Sequence, residues 1–189
     1  ADLLEHRQPN YIFCAFDSPG DTFRHEMYDQ YKATRDPMPD DLRSQIPVIQ
    51  QLLEAMAIPV LSMPGFEADD ILATVARQVE ERGGDCLLVT SDKDCRQLIT
   101  DQVQMYNIRK DVVFDAEALM ETWGVRPEQV VDFQSLVGDS VDNIPGVAQI
   151  GPKTARELLE KYGTLESVLD HAEEVTAKKR RENLMAGRE

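Results

Sequence analysis

Basic residues are in short supply: 20 Lys and Arg stand against 35 Asp and Glu, a formal net charge of −15. That deficit excludes a general nucleic-acid coat protein, whose affinity rests on a basic surface, but not an enzyme whose acids are neutralised by bound cations. Cysteine is scarce as well. Cys14, Cys86 and Cys95 form no CxxC pair and lie in or beside apolar runs, so a disulfide framework is excluded and buried free thiols in a reducing cytosol are expected. His6, His25 and His171 share no HxxxH or Cys/His spacing, which argues against a zinc site. No apolar run approaches the roughly 20 residues of a membrane span, and no signal-peptide pattern is read, so a cytoplasmic protein is expected. There is no internal repeat and no low-complexity tract. The chain starts at Ala1 rather than methionine, so an upstream piece is expected to have been cut away.

What is present suits one good core, or one core with a small satellite: 189 residues, 42% of them hydrophobic. Tyr11 to Phe16 reads as a buried strand that exits through Asp17 and Ser18-Pro19-Gly20. From Asp21 to Asp41 the chain turns polar, with Arg24, Lys32 and Arg35 among Phe23, Tyr28 and Tyr31, and reads as a mobile basic loop or arch. Pro47 is expected to open a helix on which Val48, Ile49, Leu52, Leu53 and Met56 follow the 3.6 period. Pro59 to Leu61 is a candidate strand. An amphipathic helix is expected from Ala68 to Arg82, stopped by Gly83-Gly84. Cys86 to Thr90 reads as a parallel strand covered on both faces, with shorter strands at Val103–Tyr106 and Val112–Phe114. Strands alternating with helices point to a three-layer α/β sheet. After Asp115 only helices and turns are expected: one capped by Asp115 and ending at Trp123-Gly124, one from Pro127 to about Val137, one opened by Pro152 and closed by Gly163, and one capped by Thr164. The tail runs into Lys178-Lys-Arg-Arg181.

Eight acids fall in four clusters: Asp17; Glu67, Asp69 and Asp70; Asp92 and Asp94; Asp139 and Asp142. Asp17 and the Asp92/Asp94 pair follow strands, where ligands of open α/β sheets collect. Carboxylates gathered at one place either protonate or bind cations, and an all-oxygen set suits a magnesium-type ion. Each cluster also has a plain explanation. Acids in a first helical turn complement the macrodipole, Lys93 is available as a solvated partner for Asp92 and Asp94, and Asp139 and Asp142 are ordinary turn formers. Helical spacing puts Glu67 and Asp70 on one side and Asp69 on another. The glycine-rich stretch Ile144 to Thr154 leads into a helix, so its amides and Lys153 suit a phosphate, or else form a tight structural turn. It lacks the GxxxxGK(S/T) order of a nucleoside-triphosphate loop; a phosphodiester backbone is the better ligand.

Phe16-Asp17, Phe23-Arg24, Tyr31-Lys-Ala-Thr-Arg35, Glu67-Ala-Asp-Asp70, Ser91-Asp-Lys-Asp94 and Gly138-Asp-Ser-Val-Asp-Asn-Ile-Pro-Gly146 occur in the order and spacing of the bacterial 5′-nuclease family, which the chain resembles. The resemblance extends over most of a 5′→3′ exonuclease domain such as that of DNA polymerase I. It implies a PIN-like three-layer domain with a mainly parallel sheet over residues 1–113, with a helical arch at about 21–46. A small all-helical helix-hairpin-helix subdomain would follow over residues 114–189. It further implies structure-specific cleavage of 5′ flaps and of nicked or forked duplex DNA with two Mg²⁺ or Mn²⁺ ions, in the bacterial nucleoid, with a polymerase domain in the same parent chain.

By motif, Asp17, Glu67, Asp69 and Asp70 would serve the tighter ion with Asp92 and Asp94 close by, and Asp139 and Asp142 would serve the second with Asp94. Arg24, Lys32 and Arg35 would be arch cations acting in catalysis. Tyr31 in the arch, with Gly146, Gln149, Gly151, Lys153 and Thr154, would contact DNA, with a potassium ion at that loop. Two departures stand out: Gln149 occupies a position usually held by glycine, and the family carries an upstream strand with a further aspartate, beyond which this chain is expected to begin. A truncated C-terminal subdomain is expected too. A PIN-type ribonuclease and a DNA-structure binder without turnover remain the rival readings.

Overall fold

Local signals set most of the element boundaries in the computed structural model, which describes residues 2–187. By its internal contacts the chain divides into two units, residues 1–29 with 35–74 and residues 30–34 with 75–189.

The first unit holds α1 (Asp2–Arg7), β1 (Cys14–Ala15), α2 (Phe23–Met27), α3 (Asp40–Ala55), β2 (Val60–Leu61) and the start of α4 (Ala68–Glu80). β1 and β2 pair in parallel, Cys14 opposite Val60 and Ala15 opposite Leu61, so the strand expected over Tyr11–Phe16 is regular only at its centre. The segment read as a basic loop or helical arch carries one helical turn, α2, near its start. The Thr22 amide donates to His25 Nδ1 at 3.1 Å and fixes the start of α2. Pro47 does not open its helix either: α3 begins at Asp40 and keeps Pro47 inside. Asp40 and Asp41 complement the N-terminal dipole there, and Pro47 stands further along, where it forfeits one backbone donor. The expected apolar positions form one face of α3, yet no residue of this helix is buried, and Val48 remains 63% exposed.

The second unit begins within α4 and holds β3 (Cys86–Val89), β4 (Val103–Asn107), β5 (Val112–Phe114) and α5 (Ala116–Trp123). It continues through α6 (Val130–Val137), α7 (Pro152–Tyr162), α8 (Leu165–Asp170) and α9 (Lys178–Ala186). The sheet order is β3-β4-β5. β3 runs parallel to β4 with Cys86 opposite Val103, and β5 returns antiparallel with Phe114 opposite Met105. The fold is thus α/β with mainly parallel pairing, followed by helices alone, as the sequence implies.

Asp115 caps α5 by accepting from the Ala118 amide at 2.9 Å, and Gly124 ends it in the left-handed conformation at φ 66°. The core beneath α5 to α9 is built from Leu119, Val130, Leu136, Leu159, Val168 and Leu184, all fully buried. Burying each side chain of this size contributes about 1.5–3 kcal/mol. That core fixes α6 against α7 and so anchors both ends of the loop between them. Cys95 is buried and Cys14 and Cys86 are half-buried, all as free thiols; burial pushes the Cys14 and Cys86 thiols up from their ordinary range.

Candidate metal centre

Each unit contains one group of the expected acids. In the first unit Asp17 follows β1, whose end is held where the Phe16 amide donates to the Leu61 carbonyl at 2.9 Å. Its Oδ1 accepts from the Ala68 amide at 2.7 Å, so Asp17 reaches the opening turn of α4. There Asp70 Oδ2 accepts from the Glu67 amide at 2.9 Å, and Glu67 is itself buried. Arg24, projecting from α2, donates Nη1 and Nη2 to the two oxygens of Asp70 at 2.8 Å each. Its guanidinium also lies 4.6 Å from the centre of the Phe23 ring, which packs against Phe66. The Arg24 pKa is raised, chiefly by the bond to Asp70.

Asp69 has the opposite problem. Its Oδ1 is buried and finds no hydrogen-bond partner among the described residues. Burial lifts its carboxyl above the usual range; Arg24 pulls it down while Asp70 and Glu67 push it further up. A buried carboxylate oxygen without a donor, beside further carboxylates, fits a hard divalent cation.

In the second unit Asp92 and Asp94 stand just beyond β3. Thr90 Oγ1 accepts from the Asp92 amide at 3.0 Å and Asp92 Oδ1 accepts from the Asp94 amide at 3.0 Å, which folds the turn and starts a 3₁₀ helix over Asp94–Leu98. Asp139 and Asp142 lie on the loop after α6, closed by reciprocal backbone bonds between Asp139 and Ile144 at 2.8 and 2.7 Å. Asp94, Asp139 and Asp142 each offer an oxygen, and these oxygens lie within 4.8 Å of one another. The loop also lines an open cleft of about 420 Å³ with Gly138, Ser140 and Asn143.

Lys93 does not pair with Asp92 or Asp94 as the sequence allows. Its Nζ meets Asp139 Oδ1 at 2.9 Å, because the packing of α6 brings that loop to the turn after β3. Burial works to raise Asp139, but Lys93 and the loop amides outweigh it and hold the carboxyl below its ordinary range. Asp94 moves the other way. Burial raises it, aided by Asp92 and Asp139, against the opposing pull of Gln134 and Lys93. Gln134 Nε2 donates to Asp94 Oδ1 at 2.5 Å from α6, a contact the sequence reading missed. Its one signal is position: Gln134 stands one turn before Gly138.

The residues 30–34 belong to this unit. Tyr31 is buried and donates its hydroxyl to Asp142 Oδ2 at 3.2 Å. The Lys32 amide donates to the Asp142 carbonyl at 3.1 Å, and Asn143 Nδ2 to the Gln30 carbonyl at 2.7 Å. Lys32 holds a left-handed φ of 54°, with its Nζ 4.8 Å from the Tyr31 ring centre. Arg35 is exposed in the first unit.

Gly146 and Gly138 pack backbone against backbone. A Cβ on Gly138 would lie 2.6 Å from the Ile144 carbonyl oxygen, and both glycines have positive φ. Gln149 also sits at a left-handed φ of 66°. Gly151 precedes α7 with open space where a Cβ would be, and Lys153 and Thr154 fall in the first turn. Among the described residues, no helix is long and apolar enough to cross a membrane.

Comparison with known proteins places these features in a family. Residues 1–124 match the model of the 5′-3′ exonuclease N-terminal resolvase-like domain, and residues 125–189 that of the 5′-3′ exonuclease C-terminal SAM fold. The chain is 46% identical over 178 residues to DNA polymerase I of Rhizobium leguminosarum, covering 94% of this chain and 18% of that protein. It is 40% identical over 171 residues to a 5′-3′ exonuclease of Aquifex aeolicus, covering 90% of this chain and 59% of the relative. The chain therefore spans about a fifth of the polymerase and less than two thirds of the exonuclease. Its fold is that of the T5 D15 protein co-crystallised with metal ions, with a TM-score of 0.85 at 23% identity, covering 100% of this chain and 75% of that one.

Proposed function

The chain belongs to the 5′-3′ exonuclease family, and on that premise we propose that it hydrolyses DNA phosphodiesters at 5′ ends and 5′ flaps using divalent cations. The observation that carries the reading is an acid group in each unit: in the first, the orphaned Asp69 oxygen beside Glu67 and Asp70, and in the second, the Asp94, Asp139 and Asp142 oxygens within 4.8 Å of one another. Asp17, Glu67, Asp69 and Asp70 would hold one ion. Asp94, Asp139 and Asp142, with Asp92 shaping the turn, would hold the second. The donor set is all oxygen, which selects Mg²⁺ or Mn²⁺. When bound, such ions acidify a water and stabilise the attacking and leaving oxygens of the phosphodiester.

The protein's own groups do the rest. Asp17 accepts from the Ala68 amide and Asp70 from the Glu67 amide just before α4, and both are thereby aimed before any cation arrives. Lys32 and Arg35 supply positive charge for phosphoryl oxygens, and Arg24 holds Asp70 and is available to a phosphate once a cation replaces it there. Gly146, Gln149, Gly151, Lys153 and Thr154 would take the duplex backbone through loop amides and one ammonium. The reading includes Tyr31 as an arch contact and a potassium ion at that loop, both supported by the family resemblance. The relatives' name, DNA polymerase I, supports a polymerase domain in the same parent chain acting on the bacterial nucleoid.

The test is cleavage of end-labelled 5′-flap, nicked and single-stranded DNA, and of an RNA flap, by the purified chain in Mg²⁺, in Mn²⁺ and in EDTA. Metal-dependent release of the DNA flap, leaving a 5′-phosphate on the remaining strand, is the expected result. Cleavage that persists in EDTA, preference for RNA, or binding without turnover in Mg²⁺ would overturn it.

A further inference from the structure

The run Lys178-Lys179-Arg180-Arg181 opens α9 in a chain of net charge −15. Cations in a first helical turn stand at the positive end of the macrodipole, where acids are favoured. No acid stands in that turn to offset them. Lys178 reaches Glu182 only at 3.9 Å, and Arg181 Nη1 donates to the Val175 carbonyl at 3.0 Å. The side chains of Lys179 and Arg180 make no hydrogen bond or ion pair among the described residues. Four cations set against the dipole, two without partners, form a local conflict of the kind found where a surface meets a ligand.

The position of α9 says which ligand. Leu184 is fully buried in the helical core, which fixes the roll of the helix. Asn183 Nδ2 then donates to the Ala148 carbonyl at 2.6 Å, and a Cβ on Gly187 would touch Val147 Cγ2 at 3.7 Å. Residues 183 and 187 thus face the loop of residues 146–151. Residues three and four apart share a helix face, so Lys179 and Arg180 lie on that same flank, one turn further out, about 4.5–6 Å along the axis from Asn183. Lys153, in the first turn of α7 just after the loop, makes no side-chain hydrogen bond or ion pair among the described residues.

We infer that Lys179 and Arg180 bind phosphates of the same duplex whose backbone the 146–151 loop and Lys153 hold. The inference rests on the proposed function. Successive phosphates of one strand recur every ~3.4 Å of duplex rise, so a flank one helical turn long reaches neighbours of a loop-bound phosphate. The site consists of side chains on the helix flank and reads no base, so the contact is independent of sequence. In a strongly acidic protein it also supplies local positive charge where the duplex must approach.

The test compares the wild-type chain with the double variant Lys179→Ala/Arg180→Ala and with Lys178→Ala on another flank. Binding of a fluorescent blunt duplex is followed by anisotropy from 50 to 200 mM KCl. Each lost phosphate contact lowers the slope of log K against log salt by about 0.9, so the double variant should lose about 1.8 and bind about 10–100-fold more weakly. Lys178→Ala should leave the slope unchanged. Flap cleavage at subsaturating DNA should fall in step with the affinity, and the melting temperature should hold or rise as cations leave the positive helix end. An unchanged slope in the folded double variant, or an equal fall for Lys178→Ala, overturns the inference while leaving the proposed function standing. A wild-type chain that neither binds duplex nor cleaves flaps overturns the proposed function itself.

Discussion

Arg24 donates to both carboxylate oxygens of Asp70 at 2.8 Å, from a guanidinium that rests on the Phe23 ring. A divalent ion ligated by Asp70 has to compete with this pair. Arg24→Met should therefore raise Mn²⁺ affinity about 3–10-fold, while the metal-free protein loses on the order of 1 kcal/mol for a partly exposed ion pair. Manganese EPR titration and thermal melts report the two quantities. Unchanged Mn²⁺ affinity would remove Asp70 from the ligand set.

Asp70→Ala and Asp94→Ala test the two acid groups separately. Each should reduce flap cleavage by at least about 10²-fold, in line with losses seen when one charge-stabilising group is removed from a site. Duplex affinity in EDTA should change little, because these carboxylates are proposed to hold cations rather than DNA. Single-turnover cleavage together with anisotropy decides, and wild-type turnover in either variant would refute that residue's assignment.

Metal-free stability should carry an unusual pH signature. Burial raises Asp69 and Asp94, so their contribution is fully present below the unfolded carboxylate value of about 4 and is lost as pH rises through the folded value. Asp139 is depressed, so its contribution is present above that unfolded value and is lost as pH falls through its folded one. Asp94→Asn should melt higher than wild type at neutral pH without metal, and the difference should close below about pH 4. Saturating Mn²⁺ should reverse the order, since only wild type gains the full cation. Melting curves from pH 3 to 8 with and without MnCl₂ test the sign.

Gln149 holds φ 66°, a conformation that costs an L-residue roughly 1–2 kcal/mol. Glycine relieves the strain and gives back about 0.5–1 kcal/mol through unfolded-state freedom. Gln149→Gly should stabilise the protein by up to about 1 kcal/mol, or about 2–4 °C. A fall in melting temperature would show that the Gln149 side chain makes a contribution larger than the backbone strain.

Gly138→Ala should fail where Gly20→Ala is tolerated. Both have positive φ, but a Cβ at Gly138 meets the Ile144 oxygen at 2.6 Å and the Gly146 nitrogen at 2.8 Å, whereas Gly20 has nothing within 4 Å. The first should cost roughly 3–5 kcal/mol and displace Asp139 and Asp142, the second roughly 1–3 kcal/mol of backbone strain alone. Denaturant unfolding of the two variants separates strain from collision.

By itself the sequence determined the elements whose ends are local chemistry. Asp115 and Thr164 cap α5 and α8 with their own side chains, Gly124 and Gly163 stop α5 and α7, and Pro152 opens α7. The four acid clusters were legible as candidates, because strand exits, first helical turns and turn-forming loops are read from neighbours in the chain. Only the tertiary structure decided the partners. Lys93 bonds Asp139 rather than its sequence neighbours, Gln134 bonds Asp94 across 40 positions, and Asn183 reaches Ala148 across 35. α3 likewise starts at Asp40 despite Pro47 inside it. Caps and turns are settled within a few residues by backbone geometry, whereas a long polar side chain has several acceptors in reach. Which one it takes depends on how buried side chains such as Leu136 and Leu184 fix the roll of α6 and α9, and that is set by packing between segments far apart in the chain.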